Sequence, residues 1–428
     1  MKKHKLSLFL LPLFLLTLLF DLYPQTPPLD RKIDEIVRAI TPDLVALRRD
    51  IHAHPELSLE EIRTAALVAD RFKALGLKVR TGIGGTGVLA VLRGGKPGPV
   101  VGFRADMDAL PITEETGLPF ASTQRAVRDG REVGVMHACG HDVHTTVLLG
   151  VATVLSRLKG DIAGTVLFVA QPAEEGGQGA RRMLEDGLFK DIKPSAMFAF
   201  HVDDAFPAGI IKYVPGYVTA NSDGFSLTVF SEGCHGANPH LCVDPIVVGA
   251  QVLIALQVMI SRQIDVHKDT VITVGSFHAG SASNIVAQRA DLKATVRTYG
   301  DEQRQAVREK IERTIAGVCQ AAGAQYDLDY AQGIPAAYND PELTKQAKAV
   351  ASRLLGQANV IQGEAGMVAE DFSYFGREAP AALLWLGAQR EGSTATLHSP
   401  HFAADEGAIP VGIRVMCAIL LDALKRKP

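Results

Sequence analysis

The pattern of hydrophobic and polar positions divides the chain into two kinds of structure. Between residues 30 and 218, short apolar runs such as residues 165–170 alternate with longer segments of helical spacing such as residues 144–158. Apolar runs bounded by turn residues are typical of buried strands, and a spacing of three to four residues is typical of helices. Strands that alternate with helices predict a layered α/β domain with a mostly parallel sheet.

The pattern of hydrophobic and polar residues is different in residues 219–331. Apolar residues alternate with polar ones from Phe225 to Val229, as in a half-buried strand, and the elements that follow give the order β-α-β-β-α-β. That order predicts a ferredoxin-like α+β module. Residues 332–428 return to α/β character. We therefore expect one larger domain, formed by residues 30–218 and 332–428, with the smaller module inserted into it.

One short motif predicts the start of a helix. Ser58 is followed three residues later by Glu61, which matches the capping box, in which two side chains accept hydrogen bonds from backbone N–H groups at a helix N-terminus. We expect this helix to end at Gly76, since glycine is common just after a helix C-terminus.

The first residues differ from the rest of the chain. Lys2, Lys3 and Lys5 precede a mostly apolar run over residues 6–20. This arrangement is typical of a secretory signal peptide, and the run is shorter than the roughly 20 residues that span a bilayer. We expect residues 1–25 to direct export, so that the protein is secreted or periplasmic. Because a small-residue cleavage site is missing, an uncleaved N-terminal membrane anchor is the alternative, and no other stable membrane association is expected.

Composition narrows the function classes. A length of 428 residues is consistent with two domains. A formal net charge of −3 gives no sign of nucleic-acid binding. The 5 cysteines are few and odd in number, so we expect no disulfide framework and at least one free thiol.

Residues suited to chemistry are concentrated in a few short segments. Three of these segments directly follow predicted strands, where the functional crevice of an open α/β sheet lies. The candidates are Asp106 and Asp108 after one strand, His137, Cys139, His141, Asp142 and His144 in MHACGHDVHTT, Glu174 and Glu175 after a second strand, His201 after a third, and His398 with His401 in LHSPHF.

These side chains are the usual ligands of zinc and similar ions. Adjacent carboxylates such as Glu174 and Glu175 suit a division of labour, in which one binds metal and the other accepts a proton from an attacking water. Each residue alone has an ordinary interpretation: Cys139 could be a small buried apolar residue, and a single histidine such as His201 is more often structural. Their coincidence in a chain with only 13 histidines favours a metal site.

At these motifs the chain resembles the metallopeptidase family of aminoacylases, hippurate hydrolases and indole-acetyl-amino-acid amidohydrolases. The resemblance extends from about Leu47 to the C-terminus. It is carried by LRRDIHAHPELSLEE, FRADMDALPI, MHACGHDVHT, QPAEEGGQGA, TVRT, AEDFSYF and LHSPHF. It implies a metal-dependent amidohydrolase with a catalytic α/β domain and an inserted dimerisation or lid domain.

The resemblance also implies roles for individual residues. It implies one or two divalent ions, either zinc or manganese, or else cobalt or nickel. Glu174 would be the general base that takes the proton of the attacking water and passes it to the leaving amine. Asp108 would orient the metal ligands without binding the metal itself. By position, the metal ligands would be Cys139, His141, Glu175, His201 and His398.

The inserted domain carries further implied residues. In SEGCHGANPH, His235 would reach the active site of the partner subunit of a homodimer and stabilise the oxyanion. Asn284 and Arg297 resemble substrate-binding positions, and Arg297 is suited to grip a free carboxylate through two hydrogen bonds. A surface-loop histidine and a surface-strand arginine are the ordinary alternatives. Two departures lie in the same loop: Cys234 stands where these enzymes usually have glycine, and Asn238 where methionine is common.

The resulting hypothesis is hydrolysis of small N-acyl-L-amino acids of the N-acetyl, benzoyl or aryl-acetyl type, which releases a carboxylic acid and an amino acid. The alternative within the same family is an extracytoplasmic dipeptidase or carboxypeptidase. A non-catalytic binding protein is disfavoured because the base and every proposed ligand are present. A zinc deaminase is excluded because the chain has an H-x-E at His54 and Glu56 but no C-x-x-C.

Overall fold

The computed structural model describes residues 28–128 and 130–425, so the predicted signal peptide at residues 1–25 lies outside the described residues. The strands are β1 (Lys78–Ile83), β2 (Gly87–Arg93), β3 (Lys96–Asp106), β4 (Arg125–Arg128), β5 (Arg131–Gly134), β6 (Ala163–Gln171), β7 (Ala196–Pro207), β8 (Ile211–Tyr213), β9 (Gly216–Tyr217), β10 (Asn221–Phe230), β11 (Cys234–His235), β12 (Thr270–Ala279), β13 (Ile285–Val286), β14 (Arg289–Thr298), β15 (Gln325–Ile334), β16 (Tyr338–Asn339), β17 (Val360–Gln362) and β18 (Ala381–Gln389). The α-helices are α1 (Pro28–Ala53), α2 (Ile62–Ala74), α3 (His141–Arg157), α4 (Gly179–Glu185), α5 (Pro245–Gln263), α6 (Asp301–Ala322), α7 (Pro341–Leu355), α8 (Ser373–Gly376) and α9 (Ala408–Ala423).

The larger sheet has eight strands in the order β1-β2-β6-β3-β7-β18-β8-β17. Its centre is parallel, because β3 pairs in parallel with β6 and β7, and β7 pairs in parallel with β18. In contrast, β1, β2 and β8 run antiparallel to their inner neighbours. The carboxyl ends of the four central strands therefore meet at one edge of the sheet, where open α/β sheets carry their functional sites.

Both faces of this sheet are buried, which explains why its central strands are continuous apolar runs. In β6, Val166 and Phe168 belong to a core shared with α1, α2, α3, α7 and α9. The alternate residues Leu167 and Val169 belong to a second core, shared with α4 and α8. Successive residues of a strand point to opposite faces, so a strand covered on both sides needs apolar residues at every position.

A second sheet of four strands has the antiparallel order β12-β14-β10-β15. Phe225, Leu227 and Val229 of β10 point into a core that this sheet shares with α5 and α6. The chain order β10-α5-β12-β14-α6-β15 is that of a ferredoxin-like module, and it interrupts the chain between strands of the larger sheet. The predicted fold class, a layered α/β domain with a mostly parallel sheet and an inserted ferredoxin-like α+β unit, is confirmed.

Among the described helices, α5 is long and apolar enough to cross a membrane by length and composition. One of its faces is buried, with Val248, Val252 and Leu256 in the core of the second sheet. On the opposite face, Ile254 is 62% exposed and Val258 is 51% exposed. The helix thus packs as a core helix on one side and presents an apolar surface on the other.

The start of α2 differs from the sequence prediction. Glu61 is the residue before the helix, but neither its side chain nor that of Ser58 caps the helix. Instead the Glu56 carboxylate accepts hydrogen bonds from the N–H groups of Arg63 and Thr64, each at 2.8 Å. The predicted capping box is therefore wrong, because a carboxylate from further upstream already satisfies the first turn.

The two side chains of the supposed box support other loops. The Ser58 hydroxyl donates to Asp108 at 2.6 Å, in the loop after β3. The Glu61 carboxylate accepts from the N–H of Ala173 at 2.8 Å, in the loop after β6. Both loops carry predicted site residues, so the segment before α2 holds the functional edge of the sheet in place.

Candidate metal centre

The loops after β3 and β6 and the N-terminus of α3 converge at the carboxyl edge of the larger sheet. Helix α3 begins at His141 rather than at His144, where the sequence pattern placed its start. Gly140 precedes it with a left-handed φ of 79°, and a Cβ there would lie 2.5 Å from Cγ2 of Val202. Glycine is therefore required for the loop that carries Cys139 to turn this close to β7.

His201 lies inside a strand, and the prediction that it follows the end of a strand is wrong. The pairing of β3 with β7 ends at Ala199, but β18 continues alongside β7 and places Trp385 opposite His201. His201 Nδ1 donates to the carbonyl oxygen of Val202 at 2.8 Å. Its Nε2 is then directed at the sulfur of Cys139, at 3.4 Å.

The remaining predicted ligands meet at the same sulfur. Cys139 Sγ lies 3.3 Å from His398 Nε2. Glu175 Oε1 lies 3.4 Å from that nitrogen and 3.9 Å from His141 Nε2. The structure therefore brings together all the residues that the motifs indicated as ligands: Cys139, His141, Glu175, His201 and His398.

This cluster contains buried atoms that a cation would satisfy. His141 Nε2 and Glu175 Oε1 are buried and have no hydrogen-bond partner among the described residues. Burial raises the pKa of the Cys139 thiol well above its ordinary value, and a bound cation would reverse this because cysteine binds metals as the thiolate. Thiolate, imidazole and carboxylate together are a donor set for zinc-like ions, so these residues fit a divalent metal.

Asp108 fixes three parts of the site relative to one another. Its carboxylate accepts from the N–H groups of Glu174 at 3.1 Å and Glu175 at 3.0 Å, and from the hydroxyl of Ser58. His141 Nδ1 lies 2.8 Å from its carbonyl oxygen and 3.2 Å from its carboxylate Oδ1. Because Nδ1 is the donor, the other ring nitrogen of His141 presents its lone pair to the cluster.

A second buried pair ties β3 to β7 behind the ligands. His144 Nδ1 donates to the Asp106 carboxylate at 2.6 Å, and its Nε2 accepts from the N–H of Val202 at 2.8 Å. An imidazole that donates at one nitrogen and accepts at the other is neutral. Burial lowers the pKa of His144 to about 4, which agrees with this state. The pair holds the backbone next to His201 in place.

Backbone strain is concentrated in the loops that deliver ligands. Ala173, directly before Glu174, has a φ of 53°, and His398 has a φ of 64°. Non-glycine residues in this region cost roughly 1–3 kcal/mol each, so neighbouring contacts must hold them. The bond from Ala173 to the buried Glu61 is one such contact.

Sequence analysis missed a buried arginine at the centre of this edge. Arg104 in β3 is fully buried, with Nη1 2.7 Å from Asp106 and Nη2 2.9 Å from Glu370 and 3.1 Å from Asp371. A signal was present in the sequence, because VVGFRAD places an arginine inside the apolar run of a central strand. Such a residue needs buried partners, and the acids of AEDFSYF provide them.

Glu174 is partly buried and lies beside these acids. Its Oε1 is 3.4 Å from the N–H of Asp371. Burial, and then the negative charges of Glu370 and Asp371, raise the pKa of Glu174 well above its ordinary value. A carboxylate with a raised pKa holds a proton more firmly, which suits a group that accepts one near neutral pH.

The three predicted residues of the inserted unit lie apart from this cluster. His235 is exposed in β11, and the carbonyl oxygen of Asn284 accepts from the N–H of Gly236 at 2.8 Å, so these two candidates are neighbours. Arg297 lies half-buried on β14, and its Nη1 is buried without a hydrogen-bond partner in the described chain. Within residues 28–128 and 130–425, no hydrogen bond or ion pair links these side chains to the metal ligands.

The sequence did not predict the one disulfide of the described residues. Cys234 and Cys242 are bonded, with a Cα–Cα distance of 6.1 Å and a sequence separation of 8. Cys139, Cys319 and Cys417 are free and buried. There is no disulfide framework, as expected, but a cysteine count cannot reveal a local bond that closes a single loop.

A cluster of thiol, imidazole and carboxylate ligands beside the partly buried Glu174 defines a metal-dependent hydrolase. The model of the peptidase family M20/M25/M40 matches residues 102–422. The chain belongs to this family and is a metal-dependent amidohydrolase. The resemblance inferred from the motifs is thereby confirmed.

Relatives of known name cover nearly the whole chain. YhaA of Bacillus subtilis, named as an amidohydrolase, is 37% identical over 391 residues, which are 91% of this chain and 96% of YhaA. N-acetylcysteine deacetylase of Bacillus subtilis is 34% identical over 390 residues, or 89% of this chain and 98% of the relative. Thermostable carboxypeptidase 1 of Saccharolobus solfataricus is 35% identical over 387 residues, or 89% of this chain and 95% of the relative.

A solved structure connects the fold with metal binding. The YXEP protein of Bacillus subtilis, described as a dinuclear metal-binding peptidase of the M20 family, matches with a TM-score of 0.78 and 32% identity. The match covers 91% of this chain and 99% of that protein. Amide-cleaving relatives and a metal-binding relative thus share the fold that positions the present cluster.

Trp385 should report metal binding directly. It is the only tryptophan of the chain, and its ring centroid lies 5.1 Å from that of His201. We expect Co²⁺ added to metal-free protein to quench the fluorescence, because an open-shell ion close to an indole ring removes its excitation energy. His201→Ala should weaken the response. His401→Ala should not, since His401 is exposed and directed at the carbonyl oxygen of Glu115. An unchanged spectrum of the wild-type protein would contradict the assignment.

The same titration should show that Asp108 supports the ligands. We expect Asp108→Asn to lower metal affinity about 10- to 100-fold, as for other residues that orient metal ligands. The amide places an NH₂ group where the carboxylate accepts hydrogen bonds. Asp340→Asn is the control: Asp340 caps α7 by accepting from the N–H of Leu343 at 2.8 Å, and asparagine caps equally well. Equal affinities of Asp108→Asn and wild type would rule out the orienting role.

Proposed function

We propose that this protein hydrolyses the amide bond of small N-acyl-L-amino acids outside the cytoplasm and releases a carboxylic acid and a free amino acid. The acyl group is of the N-acetyl, benzoyl or aryl-acetyl type. The observation that carries the proposal is the meeting of Cys139 with histidine and carboxylate ligands beside the partly buried Glu174. The likeness to N-acetylcysteine deacetylase supports an acylated amino acid as the substrate.

The arrangement of donors supports two metal ions. One triad contains Cys139, His141 and His201, and another contains Cys139, Glu175 and His398. Each triad offers three donors that could hold one cation, and Cys139 belongs to both. Thiolate and imidazole favour zinc, the carboxylate also suits manganese, and cobalt and nickel accept the same donors.

In this proposal Glu174 moves the proton. A divalent metal held by these ligands would polarise the scissile carbonyl and lower the pKa of the attacking water towards about 7. The Glu174 carboxylate takes the proton from that water and later delivers it to the nitrogen of the leaving amine. Asp108 holds the Glu174 backbone at 3.1 Å and Asp371 contacts its side chain at 3.4 Å, so the carboxylate has little freedom to turn away.

Residues of the inserted unit complete the substrate site. Nη1 of Arg297 is buried and has no hydrogen-bond acceptor among the described residues. The free carboxylate of an amino acid would be a suitable acceptor. Asn284 lies next to His235 and supplies further polar contacts to the substrate. His235 donates to the oxyanion that forms on the acyl carbon.

The position of His235 supports a homodimer. No contact joins His235 to the metal ligands of its own described chain, so we assign it to the site of a second copy. The exposed apolar face of α5, with Ile254 and Val258, and the unpaired edge of β12 provide the surface for that copy. No nucleic acid is involved.

Export rests on the basic and apolar start of the chain. Residues 1–25 serve as a signal peptide that leads to secretion or to the periplasm, or as an anchor if they are not removed. The Cys234–Cys242 disulfide supports this location, since disulfides persist in oxidising compartments.

A dipeptidase or carboxypeptidase activity is the second candidate. It is favoured by the likeness to thermostable carboxypeptidase 1. Both reactions release an amino acid with a free carboxylate, so Arg297 and the metal centre serve either one. The residues that contact the group on the other side of the amide bond distinguish the two.

We expect residues 26–428, loaded with zinc or manganese, to release amino acids from N-acetyl, N-benzoyl and aryl-acetyl substrates. A chelator should abolish the reaction. Glu174→Gln should lower kcat by about 100- to 10,000-fold, the usual contribution of a general base, while Trp385 still reports metal binding. Glu115→Gln is the matched control, because Glu115 is exposed.

The substrate panel separates the two candidate functions. Hydrolysis of dipeptides alone would establish the peptidase and exclude the proposed substrate class. No turnover of any member by the metal-loaded protein would overturn both.

Arg297→Met should raise KM for an N-acetyl amino acid with little change for the corresponding amino-acid amide. Loss of charge-assisted hydrogen bonds of about 1.5–3 kcal/mol corresponds to about 10- to 100-fold in kcat/KM. Arg289→Met is the control on the same strand, because Arg289 is exposed and paired with Asp291. Equal losses for both substrates would show that Arg297 does not grip the carboxylate.

A further inference from the structure

The loop that carries His235 is closed into a ring by a covalent bond. Cys234, directly before His235, is joined to Cys242 at the other end of the loop. The loop contributes nothing to the core, since residues 235–241 are all exposed. Leu241, its largest apolar residue, is 70% exposed. Burial therefore does not order this segment, and its conformation depends on hydrogen bonds and on the disulfide.

The hydrogen bonds of the loop select one tautomer of the histidine. The N–H of Ala237 donates to His235 Nδ1 at 3.0 Å. Nδ1 is therefore the acceptor, and the neutral ring carries its proton on Nε2. The N–H of Asn238 also donates to the carbonyl oxygen of His235 at 2.8 Å. The turn thus presents an N–H donor to its surroundings, as an oxyanion site requires.

One side of the loop is anchored to a neighbouring segment. Cys234 pairs with Val286 and His235 with Ile285 across β11 and β13, and Gly236 donates to the carbonyl oxygen of Asn284. The other side is a short 3-10 turn, Pro239–Leu241, which pairs with no strand of the described residues and leads into α5 at Pro245. The disulfide links this side directly to the strand that is paired with β13.

We propose that the Cys234–Cys242 disulfide is a positioning device for His235 and makes hydrolysis sensitive to reduction. In the oxidised protein the ring holds the turn that fixes the His235 tautomer and direction. A thiol or phosphine reductant supplies two electrons, the S–S bond breaks, two protons are taken up, and two thiols form. The turn then samples other conformations, and the oxyanion loses a fixed donor, while the metal ligands stay unchanged. The inference rests on the proposed role of His235.

The first test measures the activity of the exported protein before and after treatment with a water-soluble trialkylphosphine. The phosphine takes up an oxygen atom from water and becomes a phosphine oxide, while the disulfide becomes two thiols. We expect kcat for the best N-acyl amino acid to fall about 10- to 100-fold, as for a misplaced catalytic group, with KM changed less. The Trp385 signal should show that the metal is retained. The variant Cys234→Ser/Cys242→Ser should have the lowered kcat without reductant and should not respond to it. This variant also controls for the free thiols Cys139, Cys319 and Cys417.

A second test asks whether the disulfide acts through His235. His235→Ala alone should lower kcat about 100- to 1,000-fold, the usual effect of removing an oxyanion donor. In that background, removal of the disulfide should have no further effect, because two changes that act through one group are not additive. A loss of the same factor in both backgrounds would mean that the disulfide merely supports the fold, and would overturn the inference.

The remaining outcomes separate this inference from the function on which it rests. If His235→Ala lowers kcat but reduction leaves kcat unchanged, the positioning role is wrong and the proposed function stands. If His235→Ala retains full activity, both the oxyanion role of His235 and the positioning role of the disulfide are overturned.

Discussion

The buried guanidinium of Arg104 allows the acidic edge of the sheet to exist. It contacts Asp106, Glu370 and Asp371, all of which are buried, and uncompensated buried carboxylates would cost several kcal/mol each. One cation does not offset three acids and the nearby Glu174. Burial raises the pKa of Asp371 to about 8 even though Arg104 opposes the shift. The raised pKa values of Asp371 and Glu174 show that the acids outnumber the positive charge beside them, and a divalent cation held by the neighbouring ligands would favour their ionised forms.

Two of the histidine ligands are oriented by hydrogen-bond partners on the side of the ring that faces away from Cys139. Asp108 receives His141 Nδ1, and the carbonyl oxygen of Val202 receives His201 Nδ1. Each of these bonds selects a tautomer, so the nitrogen that faces Cys139 carries a lone pair. These two partners come from the loop after β3 and from β7, and His141 itself lies at the start of α3, so the fold positions both histidines.

Much of the fold and of the ligand set could be predicted because both depend on local patterns. Strand β6 is apolar at every position, and Cys139 and His141 sit in one short motif. What could not be predicted depends on distant partners. Arg104 meets Glu370 across 266 residues, His201 lies within a strand because β18 extends it, and the side chains of the supposed capping box turn towards other loops. Local spacing contains no information on such pairings.

The metal centre can form only after the chain has been synthesised as far as His398. His398 meets Cys139 across 259 residues, and the entire ferredoxin-like unit is made between them. A nascent or prematurely ended chain can fold its early strands but lacks one of the five donors. The five donors are therefore present together only after synthesis has reached His398.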